Sequence, residues 1–126
     1  MRAALVPIGY ADGYRRALSG RAWIGIDGRR APVIGRVSMD QIVIGVPDGA
    51  RAALGDVVTV MGGDQRSGAP SVEVLADLMG TNGYEVIVGI RKRVPRIFLR
   101  DGEPVAARVS GNAEIWIEPN SDPIQV

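Results

Sequence analysis

Ala22-Trp23-Ile24-Gly25-Ile26-Asp27-Gly28-Arg29-Arg30-Ala31-Pro32-Val33-Ile34 carries the first strong structural signal in the chain. Two apolar runs, Ala22 to Ile26 and Ala31 to Val37, flank Asp27-Gly28. That dipeptide supplies the positive φ angles that let a two-residue turn follow the twist of paired strands, so a hairpin is expected. The same period of two continues outward. Ile42, Ile44 and Val46 alternate with Gln41, Val43 and Gly45, and Asp56 to Met61 reads as another short strand rich in valine. Tyr84 to Ile90 sets Val86, Val88 and Ile90 on one face and Ile87 and Gly89 on the other, which predicts a strand buried on both sides. Val94 to Leu99 and Ala113 to Glu118 add two more strands.

One segment has a helical period instead. After Pro70, Ser71 is placed to cap a helix whose apolar face is Val72, Leu75, Ala76 and Met79, and Gly80 is placed to end it. The expected fold is therefore mainly β: a small antiparallel or mixed β-barrel-like domain with one short helix near residues 72–79. The 17 glycines and 8 prolines punctuate the chain at the short intervals that such a domain needs. Gly62 to Ala69 is the most loop-like interior stretch. At 126 residues the chain is expected to form a single domain.

Composition removes several chemistries. Hydrophobic residues make up 46% and charged residues 23%, ordinary globular usage that excludes disorder or a collagen-like repeat. With no cysteine and no histidine there is no disulfide framework, thiol nucleophile, Ser–His pair or ordinary zinc site. Catalytic work would fall to Tyr, Asp, Glu, Ser or Lys. A net charge of +1, with one lysine, Lys92, among fourteen arginines, names no nucleic-acid or membrane partner. No apolar run approaches the length that crosses a bilayer, and Pro7 and Gly9 interrupt the N-terminal one, so a cytoplasmic location is expected.

Four stretches could carry chemistry. In Gly9-Tyr10-Ala11-Asp12-Gly13-Tyr14-Arg15-Arg16 two glycines bracket Tyr10 and Asp12, either as the rim of a site or as a polar turn in which Asp12 caps its own backbone. Gly35-Arg36-Val37-Ser38-Met39-Asp40-Gln41 interrupts a strand pattern. Its backbone N–H groups could receive a carboxylate near Arg36, or it could be a solvated connection. Gly80-Thr81-Asn82-Gly83-Tyr84-Glu85 is either a helix stop or a rigid turn presenting the Tyr84 hydroxyl. Arg91-Lys92-Arg93-Val94-Pro95-Arg96, with Arg100 beyond, is basic but lacks interleaved aromatics before Phe98, which favours a solvated strand face over a nucleic-acid surface.

In combination these stretches resemble the C-terminal domain of alanine racemase, a bacterial pyridoxal-phosphate enzyme that interconverts L- and D-alanine. The resemblance is carried by VPIGYADGYRR at Val6 to Arg16, APVIGRVSMDQ at Ala31 to Gln41, GDVVTVMG at Gly55 to Gly62, TNGYEV at Thr81 to Val86 and RVPRIF at Arg93 to Phe98. Five ordered segments covering about four-fifths of the chain are far more specific than any single motif.

The resemblance implies a mostly β domain that follows a (β/α)8 barrel absent from this chain. In the family the pyridoxal 5'-phosphate forms a Schiff base with a barrel lysine, and two bases, that lysine and a tyrosine, act on opposite faces of the substrate. The domain completes the site of the other subunit in a head-to-tail homodimer. Met39 falls on the position whose backbone N–H binds the alanine carboxylate, and Asp40 is the second half of that Met-Asp pair. Tyr84 falls on a hydroxyl donor to the cofactor phosphate. Tyr10 is its companion at the substrate entrance, with Arg16 and Arg36 in the next layer of the corridor. The family's catalytic tyrosine lies in a Ser-Tyr-Gly stretch, and Tyr10, Tyr14 and Tyr84 stand in other contexts, so no catalytic residue and no metal ligand is assigned here.

The chain is therefore expected to be a piece of a longer cytoplasmic isomerase that supplies D-alanine for peptidoglycan, and to be inactive alone. Residues 101–126 are an extra tail under this resemblance. The alternative is a stand-alone non-catalytic β-domain that binds a small carboxylate or a protein partner. No membrane or nucleic-acid partner is expected.

Overall fold

The computed structural model describes residues 2–109 and 113–116, and the chain divides into two compact units, Met1–Ile90 and Arg91–Val126. That boundary differs from residue 101, at which the sequence sets a tail apart. The first unit contains β1 (Arg2–Val6), β2 (Trp23–Ile26), β3 (Arg29–Ile34), β4 (Ile42–Val46), α1 (Val72–Met79) and α2 (Gly83–Val88), with 3-10 turns at Tyr10–Asp12 and Arg16–Leu18. The second contains β5 (Arg96–Arg100), β6 (Glu103–Val109) and β7 (Ala113–Trp116). The expected mainly β class is what the chain forms. It takes the form of two antiparallel sheets, ordered β1-β4-β3-β2 and β5-β6-β7, with no closed barrel among the described residues.

The hairpin forms where Asp27-Gly28 places it. Asp27 at φ 48 and Gly28 at φ 70 both take the left-handed region that a type I′ turn requires. Trp23 pairs with Pro32 and Ile26 with Arg29. Across the rest of the sheet Ile44 lies between Ala4 and Val33, so the alternating residues of four strands fill one face. Ile24, Val33, Ile42 and Ile44 are buried there with Leu18, Tyr14 and Leu75. In the second unit Asp101 and Gly102, both at positive φ, turn β5 into β6, with a register irregularity between Phe98 and Leu99.

Helix α1 has the boundaries its pattern predicts. The Ser71 hydroxyl accepts from the Val74 N–H at 3.1 Å, Gly80 closes the helix in the left-handed region, and Leu75 and Ala76 are buried.

Two expectations need correction. Asp56 to Met61 does not form a strand: it contributes a single bridge, between Thr59 and Gly25, and Val57 is 92% exposed. Tyr84 to Ile90 is not a strand buried on both sides. Gly83–Val88 is a second short helix, because the Asn82 side chain accepts the Glu85 N–H at 3.0 Å and caps it. Only Val86 is buried, while Tyr84, Ile87 and Val88 are exposed. The valine-rich run has strand propensity, but its cap and the packing of Gly83 against Val72 set the local geometry. Strands β1 and β6 carry no expectation from the sequence. The expected strand Ala113 to Glu118 is present as β7, with Ile117 and Glu118 outside the described residues.

Candidate functional site

Three of the candidate stretches meet in the first unit, around Gly9. The Asp12 carboxylate accepts from the Gly9 N–H at 2.9 Å, so Asp12 caps its own backbone at this turn. The same turn is docked on the 38–41 loop: the Tyr10 N–H donates to the Ser38 carbonyl and the Ala11 N–H to the Met39 carbonyl, each at 3.0 Å. The approach is close enough that a Cβ at Gly9 would lie 2.2 Å from the Ser38 oxygen and 2.4 Å from the Met39 oxygen. Only glycine fits there. The loop closes on itself through the Ser38 N–H and the Gln41 carbonyl, 3.1 Å apart. Among the described residues no acceptor receives the Met39 N–H.

The third stretch is tied to the other side of the turn. Gly13, at φ 108, approaches the backbone so closely that a Cβ would lie 2.4 Å from the Gly89 carbonyl. The Arg15 guanidinium meets the Glu85 carboxylate at 3.2 Å, and the Thr81 hydroxyl donates to Glu85 at 2.7 Å. The Thr81 hydroxyl, and then Arg15, hold the Glu85 carboxyl below the usual range. Tyr84 thus projects from a helix start that is braced against the Tyr10 turn.

All three side chains are at the surface: Tyr10 is 40% exposed, Met39 52% and Tyr84 85%. Arg16 opens the second 3-10 turn and Arg36 follows Gly35, both exposed. Their segments are joined by the Val37 N–H, which donates to the Ser19 hydroxyl at 2.8 Å, while the Ser19 N–H bonds back to the Arg16 carbonyl. Asp40 is exposed beside Met39.

Beneath the turn lies Tyr14, which the sequence leaves without a role. It is buried, its hydroxyl has no hydrogen-bond partner, and burial pushes its phenol up to about 12. The Arg15–Glu85 pair and the Asn82 cap are also absent from the sequence reading, although the Asn82-x-x-Glu85 spacing is a legible helix-start signal. In the second unit Lys92 is exposed. The Arg96 guanidinium there donates to the Arg91 carbonyl at 2.6 Å and the Val94 carbonyl at 2.7 Å, so part of the basic run braces its own turn.

What the first unit offers is a rim and not an enclosed site: the Met39 backbone donor, two phenols and two guanidinium groups near a clamped turn. Such a set suits a small carboxylate or phosphate. Among the described residues no group of acidic side chains could hold a metal ion, and no helix is long and apolar enough to cross a membrane.

Comparisons with known proteins place the chain in a family. A family model described as alanine racemase, C-terminal domain, matches residues 1–98. The chain is 46% identical over 105 residues to alanine racemase 1 of Clostridium acetobutylicum, covering 83% of this chain and 27% of that protein. It is 43% identical over 100 residues to alanine racemase 2 of Bacillus subtilis, covering 79% and 25%. Among solved structures, alanine racemase of Bacillus anthracis with bound L-Ala-P superposes with a TM-score of 0.75 at 43% identity, over 83% of this chain and 26% of that one. Alanine racemase of Bartonella henselae with covalently bound pyridoxal phosphate gives 0.66 at 29%, over 77% and 27%. The chain spans about a quarter of the length of these relatives.

Proposed function

The chain belongs to the alanine racemase C-terminal domain family, and from that premise we propose that it forms the substrate-entrance half of a pyridoxal-phosphate-dependent site that interconverts L- and D-alanine. The observation that carries this reading is the docking of the Tyr10 turn on the Met39 loop, which fixes that loop while leaving the Met39 N–H without an acceptor among the described residues. A rigid loop with a free backbone donor is suited to an amino-acid carboxylate, because the donor's direction is set before the ligand arrives. Asp40 sits beside it in the Met-Asp pair.

The residues of this chain divide the remaining work. Tyr84 supplies a hydroxyl to the cofactor phosphate, and with Tyr10 it narrows the entrance. Arg16 and Arg36 attract the carboxylate of a small zwitterion toward that entrance. The chain does not fit the cofactor by itself. Tyr84 and Met39 lie at the surface, and the one lysine is exposed, so no buried amine is present to hold a carbonyl group. The roles proposed here are therefore binding and positioning, with no proton transfer assigned to this chain. The remaining parts of the site come from the barrel and, in a homodimer, from the partner subunit. The enzyme is proposed to act in the cytoplasm, where its product enters peptidoglycan.

A reconstitution assay tests the reading. The chain is mixed with pyridoxal phosphate and the portion of the Bacillus anthracis relative that precedes its matched quarter. Alanine racemisation in the mixture, with none from either part alone, is the expected result. Silence in a mixture whose parts demonstrably bind one another would favour a non-catalytic carboxylate-binding module.

A further inference from the structure

Tyr84 is 85% exposed, so packing does not hold its ring, and its place is set by the backbone it leaves from. That backbone is the first turn of α2, a helix of six residues. A helix so short is marginal in water and takes its position from whatever ties it down. The residue after Tyr84 supplies three ties. The Glu85 N–H donates to the Asn82 side chain at 3.0 Å, one carboxylate oxygen accepts from the Thr81 hydroxyl at 2.7 Å, and the other accepts from the Arg15 guanidinium at 3.2 Å. Asn82 and Thr81 belong to the same stretch of chain and fix its local shape. Arg15, 70 positions away, is the one of the three that ties it to another element.

That element is the Tyr10 turn. Its start, Gly9, is locked on the 38–41 loop, and Gly13 lies against the Gly89 carbonyl just past the end of α2. The turn therefore meets α2 at both ends: a steric stop beyond Val88, and an ion pair beside Tyr84. A stop limits approach only, whereas an ion pair also resists separation. Both partners are exposed and contribute little to global stability, so the consequence of the pair is local, in where the start of α2 sits.

We propose that Arg15 and Glu85 are positioning residues of the substrate entrance: their ion pair fixes the start of α2 against the Tyr10 turn, sets the gap between Tyr10 and Tyr84, and so limits the size of the amino-acid side chain admitted. The proposal rests on the family reading, which makes the two tyrosines an entrance. Neither residue of the pair needs to touch the ligand, because both act through Tyr84. The Arg15 guanidinium makes one hydrogen bond to Glu85, so the contact asks for a positive charge at that reach and not for a bidentate fork. Lysine at position 15 therefore keeps the function, and glutamine loses it.

The test has two readouts. In the full 126-residue chain alone, Arg15→Gln should speed amide hydrogen exchange at Glu85, Val86 and Gly89 by about two- to fivefold, the range an exposed ion pair supports, with exchange at Ile24 and Val33 unchanged. Arg15→Lys should restore the slow exchange. In the reconstituted mixture, kcat/KM is measured for alanine and for 2-aminobutyrate, whose side chain is one methylene longer. Arg15→Gln should lower the preference for alanine at least about threefold, chiefly through a lower KM for 2-aminobutyrate and with kcat for alanine unchanged, and Arg15→Lys should keep it. Thr81→Val removes the other side-chain tie to the same carboxylate; it should act in the same direction and is the second variant should Arg15→Gln fail to fold. Unchanged exchange, or an equal loss for both substrates as a merely structural role would give, overturns the proposal. An active mixture whose preference does not move removes this inference alone and leaves the family reading standing. An inactive mixture of the unsubstituted parts removes the family reading and this inference with it.

Discussion

Gly9 and Met39 touch through their backbones: a Cβ at Gly9 would lie 2.4 Å from the Met39 carbonyl oxygen, while the neighbouring Ala11 N–H donates to that same oxygen at 3.0 Å. Gly9 has an extended backbone, with φ −159, so alanine meets no torsional penalty there and only space decides. Gly9→Ala should cost about 1–3 kcal/mol, the usual range for forcing atoms into packed space. Urea unfolding measures that loss, and the reconstituted racemase should lose activity with it because the loop carrying the Met39 N–H must move.

Met39 itself should tolerate truncation. If the backbone N–H is the working donor, Met39→Ala keeps it and should change the KM for alanine by less than about tenfold, whereas Met39→Pro removes the donor and should raise KM far more. Steady-state kinetics on the reconstituted enzyme separates the two, and equal losses would move the role to the side chain.

Glu85 links the Tyr84 helix to the turn. Its folded pKa is lowered by the Thr81 hydroxyl first and by Arg15 next, so its contribution is present above the unfolded value, about 4.3, and is lost as pH falls through the lower folded value. Glu85→Gln should flatten the acid limb of stability against pH, and Thr81→Val should do so in part. Urea midpoints between about pH 3 and 7 give the slope. Both partners are exposed, so the effect at neutral pH should be small.

Tyr14 carries the opposite sign. Its folded pKa, raised by burial to about 12 from 10.0, means that the unfolded chain ionises first, so stability falls as pH rises from 10 toward 12. Tyr14→Phe removes this alkaline loss. At neutral pH the variant should be equally stable or more stable by about 1 kcal/mol, because the buried hydroxyl has no partner to lose. Alkaline titration of the unfolding midpoint reads both effects.

Asn82→Ala tests the second helix. Removing the side chain that accepts the Glu85 N–H should cost about 1 kcal/mol and lower helical circular dichroism, while a strand at Tyr84 to Ile90 would leave both unchanged.

The chain's own pattern determined a good deal. Asp27-Gly28 between apolar runs specified a hairpin, and Ser71 with Gly80 specified both ends of α1, because turns and caps are satisfied by residues a few positions apart. The ordered motifs specified the family. Tertiary contacts decided the rest. Val57 and Val58 have strand propensity, but among the described residues Asp56 to Met61 meets its neighbour through a single bridge, Thr59 to Gly25, so no ladder forms. Tyr84 to Ile90 alternates like a strand, yet the Asn82 cap and the packing of Gly83 against Val72 made it helical. β1 is short, and what holds it is its pairing to β4 some forty positions away. The clamp that sets Tyr10 beside Met39 and braces it against Glu85 is likewise made of backbone hydrogen bonds and a side-chain ion pair between groups far apart in sequence. Local chemistry can be read along the chain, whereas hydrogen bonds between distant backbone groups exist only once the sheet brings them within reach.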